Sequence, residues 1–371
     1  MDTPVASQDE VLLMSMELGN KEYRLRFSNR RREREVTIPA RHVEKLKHAI
    51  RTSKEKMGLG EGCRVVSCYE AGRDGFWLHR CLEQRGVENL VVDSASIEVN
   101  RRKRRAKTDR LDAKKLLGML IRHVIGGERG MWQIVRVPTE MQEDERRRHR
   151  EQDRLKGERT AHLARIRSLL VLHGITVKRL DPDVEQYRDW ANQPLQAAVK
   201  AELKREFVRL EMVNRQIHEL GEQRKQRAKS GETEGDRATA KLMKVKAIGM
   251  ETASVLGYEF FGWRKFKNRR QVGSLSGLTG TPYESGDSKR EQGISKAGNT
   301  RVRHKMIEAA WMWLRYQPES NLTKWFFANY GPGSHRKRKV GVVALARKLL
   351  VALWKYVEFD EVPAGTVLKA A

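Results

Sequence analysis

The chain has 371 residues, 39% of them hydrophobic and 33% charged, so it can form two or three domains that each bury a core. Its formal net charge of +27 attracts polyanions, which favours DNA or RNA as the partner. Three cysteines without a CxxC pair, no secretory signal and no apolar run of about 18 residues argue against a disulfide-rich secreted protein and a membrane protein.

The first third of the chain alternates between predicted strands and helices. Two apolar runs broken at Gly19-Asn20 predict a strand, a tight turn and a second strand. The predicted elements are this hairpin over 11–28, a helix over 41–57, a strand over 64–69 that ends on Glu70, a helix opened by Gly72 and Gly75, a strand over 90–93 and a helix over 109–121. Such alternation indicates an α/β domain, which we place over residues 10–125.

Long polar helices are predicted over residues 139–229. Apolar residues recur there at three- and four-residue steps, as in a coiled-coil seam. They are Leu163, Ile166, Leu169, Leu170, Leu203, Phe207, Leu210, Val213, Ile217 and Leu220. The pattern leaves two alternatives open, a coiled coil and a helical hairpin packed inside one domain. Residues 230–235, Ser-Gly-Glu-Thr-Glu-Gly, predict a flexible linker.

A mainly helical unit is predicted over residues 238–362. Residues 245–253 resemble a helix-hairpin-helix, whose glycine turn presents N–H groups to a phosphate, although a lone glycine in a helical turn is common. Gly- and Ser-rich loops follow over 273–298. Five aromatic residues either pack in a helical core or stack on bases. They are Trp311, Trp313, Trp325, Phe326 and Phe327, and beyond Pro363 we expect a frayed tail.

An acidic motif stands in this basic sequence, Lys107-Thr108-Asp109-Arg110-Leu111-Asp112-Ala113. Asp109 and Asp112 are three residues apart, so both lie on one helical face and could share a divalent cation. Acidic residues also favour a helix N-terminus by themselves, which is the simpler interpretation of the spacing. Glu17 follows the first apolar run and Glu70 ends the middle strand, where sites gather in α/β sheets. This layout of carboxylates matches an RNase-H-like nuclease domain that binds Mg²⁺.

Basic runs accompany the acids and could neutralise phosphates, giving salt-dependent affinity. They are Arg101-Arg102-Lys103-Arg104-Arg105, Arg146-Arg147-Arg148-His149-Arg150 and His335-Arg336-Lys337-Arg338-Lys339. In the last unit Ser285 lies in a glycine-flanked loop among basic residues, of which Lys296 and Arg303 are two. A serine in such surroundings could attack a phosphodiester, and an ordinary Ser-Gly turn is the alternative.

The order of these blocks resembles the insertion-sequence 110 family, the DEDD transposases also described as bridge-RNA-guided recombinases. The resemblance covers most of the chain. It is carried by Tyr69-Glu70-Ala71-Gly72, Val91-Val92-Asp93-Ser94-Ala95-Ser96, the acidic motif, Ile248-Gly249 with Thr252-Ala253, Leu278, Ser285-Gly286, Ile294-Ser295-Lys296-Ala297-Gly298-Asn299 and Arg303. It implies a RuvC-like (RNase-H-like) N-terminal domain, a coiled coil used for assembly and a C-terminal transposase domain.

The resemblance also implies a site made of four carboxylates. Glu70, Asp109 and Asp112 fill three of the family's acidic positions, and Glu17 stands where the family usually has Asp. Together they would bind Mg²⁺. A glutamate at position 17 can ligate metal, but its longer side chain changes the geometry.

A C-terminal serine nucleophile is implied as well. Ser285 is the first choice, Ser295 the second and Ser288 the third. The implied contacts to nucleic acid are Arg101, Arg102, Lys103, Arg104, Arg105, Lys107, Lys296 and Arg303.

The implied activity is excision and insertion of the protein's own element. A non-coding guide RNA would pair with donor and target DNA, and the protein would act as a homodimer or homotetramer in the bacterial cytoplasm, at the nucleoid. Two other functions stay open. A hydrolytic Mg²⁺-dependent nuclease or junction resolvase needs the acids but not the serine, and a non-catalytic nucleic-acid-binding relic is compatible with Glu17.

Overall fold

The computed structural model describes residues 10–72, 74–97, 109–285, 288–331 and 333–369. The chain divides into two units, residues 1–137 and 138–371. The regions predicted over 139–229 and 238–362 therefore lie in the same unit. Among the described helices, none has a stretch that is both long and apolar enough to cross a bilayer.

In the described part of the first unit, five strands form one mixed sheet. They are β1 (Val11–Leu18), β2 (Glu22–Ser28), β3 (Glu33–Pro39), β4 (Arg64–Glu70) and β5 (Val87–Val92). Their order across the sheet is β3-β2-β1-β4-β5, with β2 antiparallel to both β1 and β3, and with β4 parallel to β1 and β5. The sequence analysis missed β3, because polar residues open it and every second residue of this edge strand is exposed.

Helices cover both faces of the sheet. They are α1 (Val43–Lys56), α2 (Trp77–Glu83) and α3 (Asp109–Val124). Even-numbered residues of β1, such as Leu12 and Met14, pack in the core that contains residues of α1 and α2. Val11 and Leu13 pack in the second core, with Leu116 and Leu120 of α3. The period-two alternation of β1 therefore assigns its odd-numbered residues to the α3 face.

The second unit begins with a helical hairpin. Helix α4 (Glu140–Leu172) and helix α5 (Ala197–Ser230) pack against each other through Ile166, Leu170, Leu203 and Phe207. A segment over 173–196 joins them and contains a short 3₁₀ turn. The apolar seam seen in the sequence thus closes between two helices of one chain, as the hairpin alternative predicted.

The rest of the second unit is mainly helical around one core. Its elements are α6 (Glu234–Met243), α7 (Met250–Leu256), α8 (Arg269–Ser276), β6 (Gly280–Ser285), β7 (Ser288–Ile294), α9 (Thr300–Tyr316), α10 (Asn321–Tyr330) and α11 (His335–Phe359). A π-helical turn, Gly257–Phe261, continues α7. The core takes Leu242 from α6, Phe260 from this turn, Trp313 from α9 and Leu349 from α11.

Two expectations about connecting segments were wrong. Residues 230–235 form a tight turn, because Gly231 ends α5 in the left-handed conformation and Thr233 starts α6 through a capping box with Asp236. The tail after Pro363 is held by backbone hydrogen bonds: the Lys246 N–H donates to Val367 O at 3.2 Å, and the Lys369 N–H donates to Lys244 O at 2.7 Å.

Candidate functional site

The carboxyl ends of two parallel strands bring Glu17 and Glu70 together. Strands β1 and β4 pair in a register that sets Met16 beside Tyr69, so the next residues along, Glu17 and Glu70, are neighbours. Leu13 on β1 and residues 66 and 68 on β4 belong to the core under α3, and the alternation puts Glu17 and Glu70 on the same face. Glu70 is exposed and Glu17 half-buried, so the edge is open to solvent on this side.

A buried hydroxyl ties the first turns of α3 to this edge. Ser15 Oγ donates to Ala113 O at 2.7 Å. Ser15 precedes Glu17 by two residues on the same strand face, and Ala113 directly follows Asp112. The helix therefore starts beside the strand ends that carry the two glutamates. The side chains of Asp109 and Asp112 lie outside the described residues.

Sequence reasoning did not single out Ser15. The signal was available, since Ser15 is the one hydroxyl residue within the otherwise apolar run Val11–Met16 of β1. A fully buried serine there must find an acceptor, because burying a hydroxyl without a hydrogen bond costs about 1 to 3 kcal/mol. The acceptor could not be named from sequence, since it lies 98 residues away.

The three basic runs have different surroundings. The run 101–105 and Lys107 lie outside the described residues. The run 335–339 forms the first turns of α11 and is exposed throughout. The run 146–150 is mixed: Arg146 and His149 are buried, with the Arg146 guanidinium 5.0 Å from the centroid of the Trp263 ring, whereas Arg147 and Arg150 are exposed. Of the two runs that the structure describes, 335–339 is the one exposed at every position, which suits a phosphate-binding surface.

The region of the candidate serines is a β-hairpin. Strands β6 and β7 pair antiparallel, with Ser285 opposite Ser288 at the turn end. The side chains of Ser285 and Ser288 lie outside the described residues. Ser295 follows β7, is exposed, and its N–H donates to Thr279 O at 2.8 Å. The sequence pattern predicted loops here instead of a hairpin, because the two strands are polar and rich in Gly and Ser.

The segment after the hairpin, residues 295–299, is held in an unusual backbone conformation. Lys296 has a φ of +56°, in the left-handed region that side chains rarely adopt. Its N–H donates to Gly277 O at 3.2 Å, and its carbonyl accepts from Arg303 Nη1 at 2.9 Å. Gly277, also left-handed at +69°, approaches so closely that a Cβ there would lie 2.0 Å from Ala297 O. Such constrained backbone often accompanies a functional loop.

Arg303 and Lys296, both predicted to contact nucleic acid, differ in exposure. The Lys296 side chain is exposed. Arg303 is only 8% exposed, and its guanidinium donates to the carbonyls of Ser276 and Lys296 and to Thr300 Oγ1. The structure therefore places Arg303 inside the unit, where it holds the 295–299 segment.

A buried carboxylate near this segment was missed by sequence reasoning. Glu259, in the π-helical turn, accepts from His149 Nε2 at 2.9 Å, from Arg150 Nε at 2.6 Å and from Asn299 Nδ2 at 3.3 Å. Burial by itself would raise the pKa of Glu259, but the hydrogen bonds from His149 and Arg150, with the Arg150 charge, outweigh burial and lower that pKa. The sequence feature that could have pointed to a buried carboxylate is an acidic residue inside the aromatic run Tyr258–Phe261.

The predicted helix-hairpin-helix corresponds to α6, a turn over 244–249 and α7. Ala247 in this turn has a φ of +85°. Lys369 Nζ donates to the carbonyls of Met243 and Ile248, so the C-terminal tail covers the turn. Of the aromatic residues, Trp313 and Phe326 are buried, Trp325 is half-buried, and Trp311 and Phe327 are exposed.

Comparison with known proteins gives the family. The model of the transposase IS116/IS110/IS902 family matches residues 239–323, from α6 through the β6–β7 hairpin to α10. The Sinorhizobium fredii protein named "Putative transposase y4rJ" is 42% identical over 329 residues, which are 85% of this chain and 83% of that protein. The Yersinia enterocolitica protein named "Transposase for insertion sequence element IS1328" is 26% identical over 56% of this chain and 60% of its own length. The chain belongs to the IS116/IS110/IS902 family of transposases.

Proposed function

We propose that the protein is a DNA recombinase that excises its own mobile element from donor DNA and inserts it into target DNA by phosphoryl transfer. The observation that carries the proposal is the Ser15–Ala113 hydrogen bond, because it sets the helix that begins with Asp109 against the strand ends that carry Glu17 and Glu70. Family membership makes DNA the substrate to expect, and the net charge of +27 suits it.

The carboxylates Glu17, Glu70, Asp109 and Asp112 would hold Mg²⁺. Carboxylate oxygens are the ligands that this ion takes in proteins. The neighbouring strand ends with Glu17 and Glu70, and the Ser15–Ala113 hydrogen bond to α3, support a shared site for the four acids. The strand order β3-β2-β1-β4-β5 with α3 on one face supports an RNase-H-like, RuvC-like arrangement. The ion, when bound, stabilises negative charge on the attacking and leaving oxygens.

Ser285 would be the nucleophile, with Ser295 as the second candidate. The serine oxygen forms a bond to phosphorus while the bond from phosphorus to one nucleotide oxygen breaks. The hydroxyl proton passes to solvent or a base, and the released oxygen takes a proton. The energy of the cleaved bond is kept in the serine phosphodiester, so a second DNA end can attack and restore the serine. The position of Ser285 supports this role, because it is the last residue of β6 and pairs with Ser288 of β7.

The partners follow from the same proposal. A non-coding guide RNA would pair with donor and target DNA, and a homodimer or homotetramer would bring two element ends together. The exposed basic turn 335–339 of α11 and the exposed Lys296 side chain are two described surfaces that suit phosphate contacts. Copurification of a specific RNA with the intact protein, followed by sequencing, tests the guide.

A strand-transfer assay with Ser285→Ala tests the mechanism. We expect loss of recombinant product and loss of the covalent protein–DNA species on a denaturing gel, with DNA binding retained. Ser295→Ala is the matched control and should keep both. If Ser285→Ala, Ser295→Ala and Ser288→Ala each recombine like the parent, the serine mechanism is wrong, and Mg²⁺-dependent hydrolysis by the acids becomes the better explanation.

A further inference from the structure

The proposed function leaves a buried acid of the second unit without a role. The Glu259 side chain is 1% exposed. It follows α7 in a π-helical turn, a local irregularity that occurs frequently at functional sites. A buried carboxylate is retained at reasonable cost only when several donors satisfy it.

Its donors come from two separate segments of the second unit. His149 and Arg150 lie on α4, and Arg150 forms a bidentate pair at 2.6 and 2.8 Å. The remaining donor, Asn299 Nδ2 at 3.3 Å, lies at the end of the 295–299 segment. Charge-assisted bonds of this kind are short and directional, so the carboxylate itself has a fixed position.

Asn299 connects the carboxylate to the loop. Its side-chain oxygen accepts from the Val302 N–H at 3.2 Å and so caps α9. Its backbone N–H donates to Leu275 O at 2.8 Å. The amide nitrogen of its side chain is left for Glu259, so one residue joins the cap of α9, the end of α8 and the buried carboxylate.

The segment 295–298 is therefore fixed at both ends. Arg303 binds the Lys296 carbonyl on one side, and Glu259 binds Asn299 on the other. Between them the backbone turns through the left-handed conformations of Lys296 and Gly298. Such a conformation persists only when surrounding contacts over-determine it. The β6–β7 hairpin leads directly into this segment.

We propose that Glu259 is a positioning residue for the recombination reaction. Through Asn299 it holds the 295–298 segment, and this segment in turn holds the base of the serine hairpin, the β6–β7 hairpin that carries Ser285. The inference rests on the proposed function, since it assigns that hairpin to catalysis. Glu259 itself touches neither DNA nor the reacting atoms in this role.

Exchange of the two groups tests the inference. Asn299→Asp keeps a good helix cap but replaces the donor to Glu259 by a second carboxylate oxygen, so we expect strand-transfer product per bound DNA to fall about tenfold or more. Glu259→Gln combined with Asn299→Asp restores a hydrogen bond with donor and acceptor exchanged. Arg150 Nη2 donates at 2.8 Å to the same Glu259 oxygen as Asn299 and loses that acceptor, so the yield of this double variant should rise severalfold above that of Asn299→Asp but stay below the parent.

Amide hydrogen exchange supplies a readout that does not need activity. The amides of Ser295 and Lys296, which donate to Thr279 O and Gly277 O, should lose protection in Asn299→Asp and regain it in the double variant. Asn299→Ser is the control, because serine still caps α9 but its shorter side chain cannot reach Glu259. Loss of amide protection in this variant assigns the effect to the missing contact with Glu259 and not to the helix cap. Unchanged exchange in a folded Asn299→Asp protein would overturn the inference.

Two failures can be told apart. In one case the parent protein gives no serine-linked DNA, but amide protection is still lost in Asn299→Asp and regained in the double variant. The proposed function has then failed, and the positioning contact stands. If serine-linked DNA forms and a folded double variant stays as inactive as Asn299→Asp, the positioning role has failed. Glu259→Gln alone leaves the buried donors His149 and Arg150 without a negatively charged acceptor and can unfold the protein. The stability of that single variant therefore does not decide between the two outcomes.

Discussion

The two units hold their candidate site residues in different ways. In the first unit, Glu17 and Glu70 sit at the ends of regular parallel strands, and strand register alone makes them neighbours. In the second, the segment after the serine hairpin depends on Arg303, Glu259 and a left-handed backbone at Lys296. The first arrangement uses repeating backbone geometry, and the second uses individual side-chain contacts between distant parts of the chain.

The difference predicts how each unit responds to mutation. Glu70 is exposed at a strand end and supports little of the fold, so changing it should cost activity and spare stability. Buried contacts around 295–299 serve both, so changing them should cost stability and activity together. The following predictions test this contrast, from the largest expected effect to the smallest.

The largest effect is expected in the first unit, for Glu70→Gln. Removing the charge of this proposed Mg²⁺ ligand should lower the strand-transfer rate on the order of 10²- to 10³-fold, while the free energy of unfolding stays within about 0.5 kcal/mol of the parent. Single-turnover kinetics and urea unfolding measure the two quantities. Glu88→Gln, an exposed acid on the neighbouring β5, is the control and should leave the rate unchanged. A large loss of stability in Glu70→Gln would contradict the contrast.

The second prediction concerns Gly277→Ala in the second unit. The added Cβ would lie 2.0 Å from Ala297 O in a residue with a φ of +69°. Left-handed strain and the clash together should cost about 2 to 4 kcal/mol of unfolding free energy. Gly280→Ala, whose nearest neighbouring atom is Gly293 O at 3.9 Å, should be tolerated. Urea unfolding measures both variants, and equal stabilities would show that the loop is not constrained as described.

The third prediction concerns the hydrogen bond from Ser15 to Ala113, which holds α3 beside the strand ends that carry Glu17 and Glu70. Ser15→Ala removes the side-chain donor to the Ala113 carbonyl, which keeps only the hydrogen bond of its own helix, and should cost about 1 to 2 kcal/mol of unfolding free energy. Ser67→Ala is the control, because that equally buried hydroxyl donates at 2.7 Å to Asn89 Oδ1, on the other face of the sheet. Both variants should lose stability, and only Ser15→Ala should also lower the strand-transfer rate beyond that loss. Equal rates in the two variants would remove Ser15 from the site.

The smallest effect is a pH dependence of the second unit. Burial alone would raise the pKa of Glu206, but hydrogen bonds from His162, Arg165 and Arg209 outweigh it and lower the pKa from 4.5 to about 2. A depressed carboxyl pKa stabilises the fold above the unfolded value of 4.5, and this stabilisation is lost as the pH falls towards about 2.

Glu206→Gln should remove that part of the acid sensitivity. Because Arg165 and Arg209 are about half exposed, solvent screening limits the contribution to about 1 to 2 kcal/mol at neutral pH. Unfolding followed by far-UV circular dichroism between pH 6 and pH 2.5, about the range over which carboxyls titrate, measures it. Glu219→Gln, an exposed acid on the same helix, is the control. An equally steep acid transition in Glu206→Gln would assign the sensitivity to other groups.

Local patterns in the sequence predicted most of the secondary structure. The hairpin of β1 and β2 followed from apolar runs around Gly19-Asn20, and α1, β4, α2 and β5 followed from their spacing. The failures were local patterns that were weak or ambiguous. The edge strand β3 is half polar and the strands around Ser285 are polar. The turn at Gly231 has the composition of a linker, and only the helix caps on either side of it show that it is a tight turn.

The candidate site could be predicted only in part. Sequence patterns and family resemblance singled out Glu17, Glu70, Asp109 and Asp112, and the fold adds the reason why the first two are neighbours. Ser15 and Glu259 were missed because their partners, Ala113 and His149, are 98 and 110 residues away in the chain. Local spacing carries no information about such pairs.

The sequence by itself determined most helices and strands, because their periods and turn residues act over a few neighbouring positions. It also determined the motifs and their order, which carry the resemblance to the family. The tertiary structure alone decided which strand ends adjoin, that Arg303 lies inside the unit while Lys296 lies outside, and that Asn299 meets a buried carboxylate. These outcomes depend on which buried polar groups find partners once the chain has packed, and that pairing is a property of the whole fold.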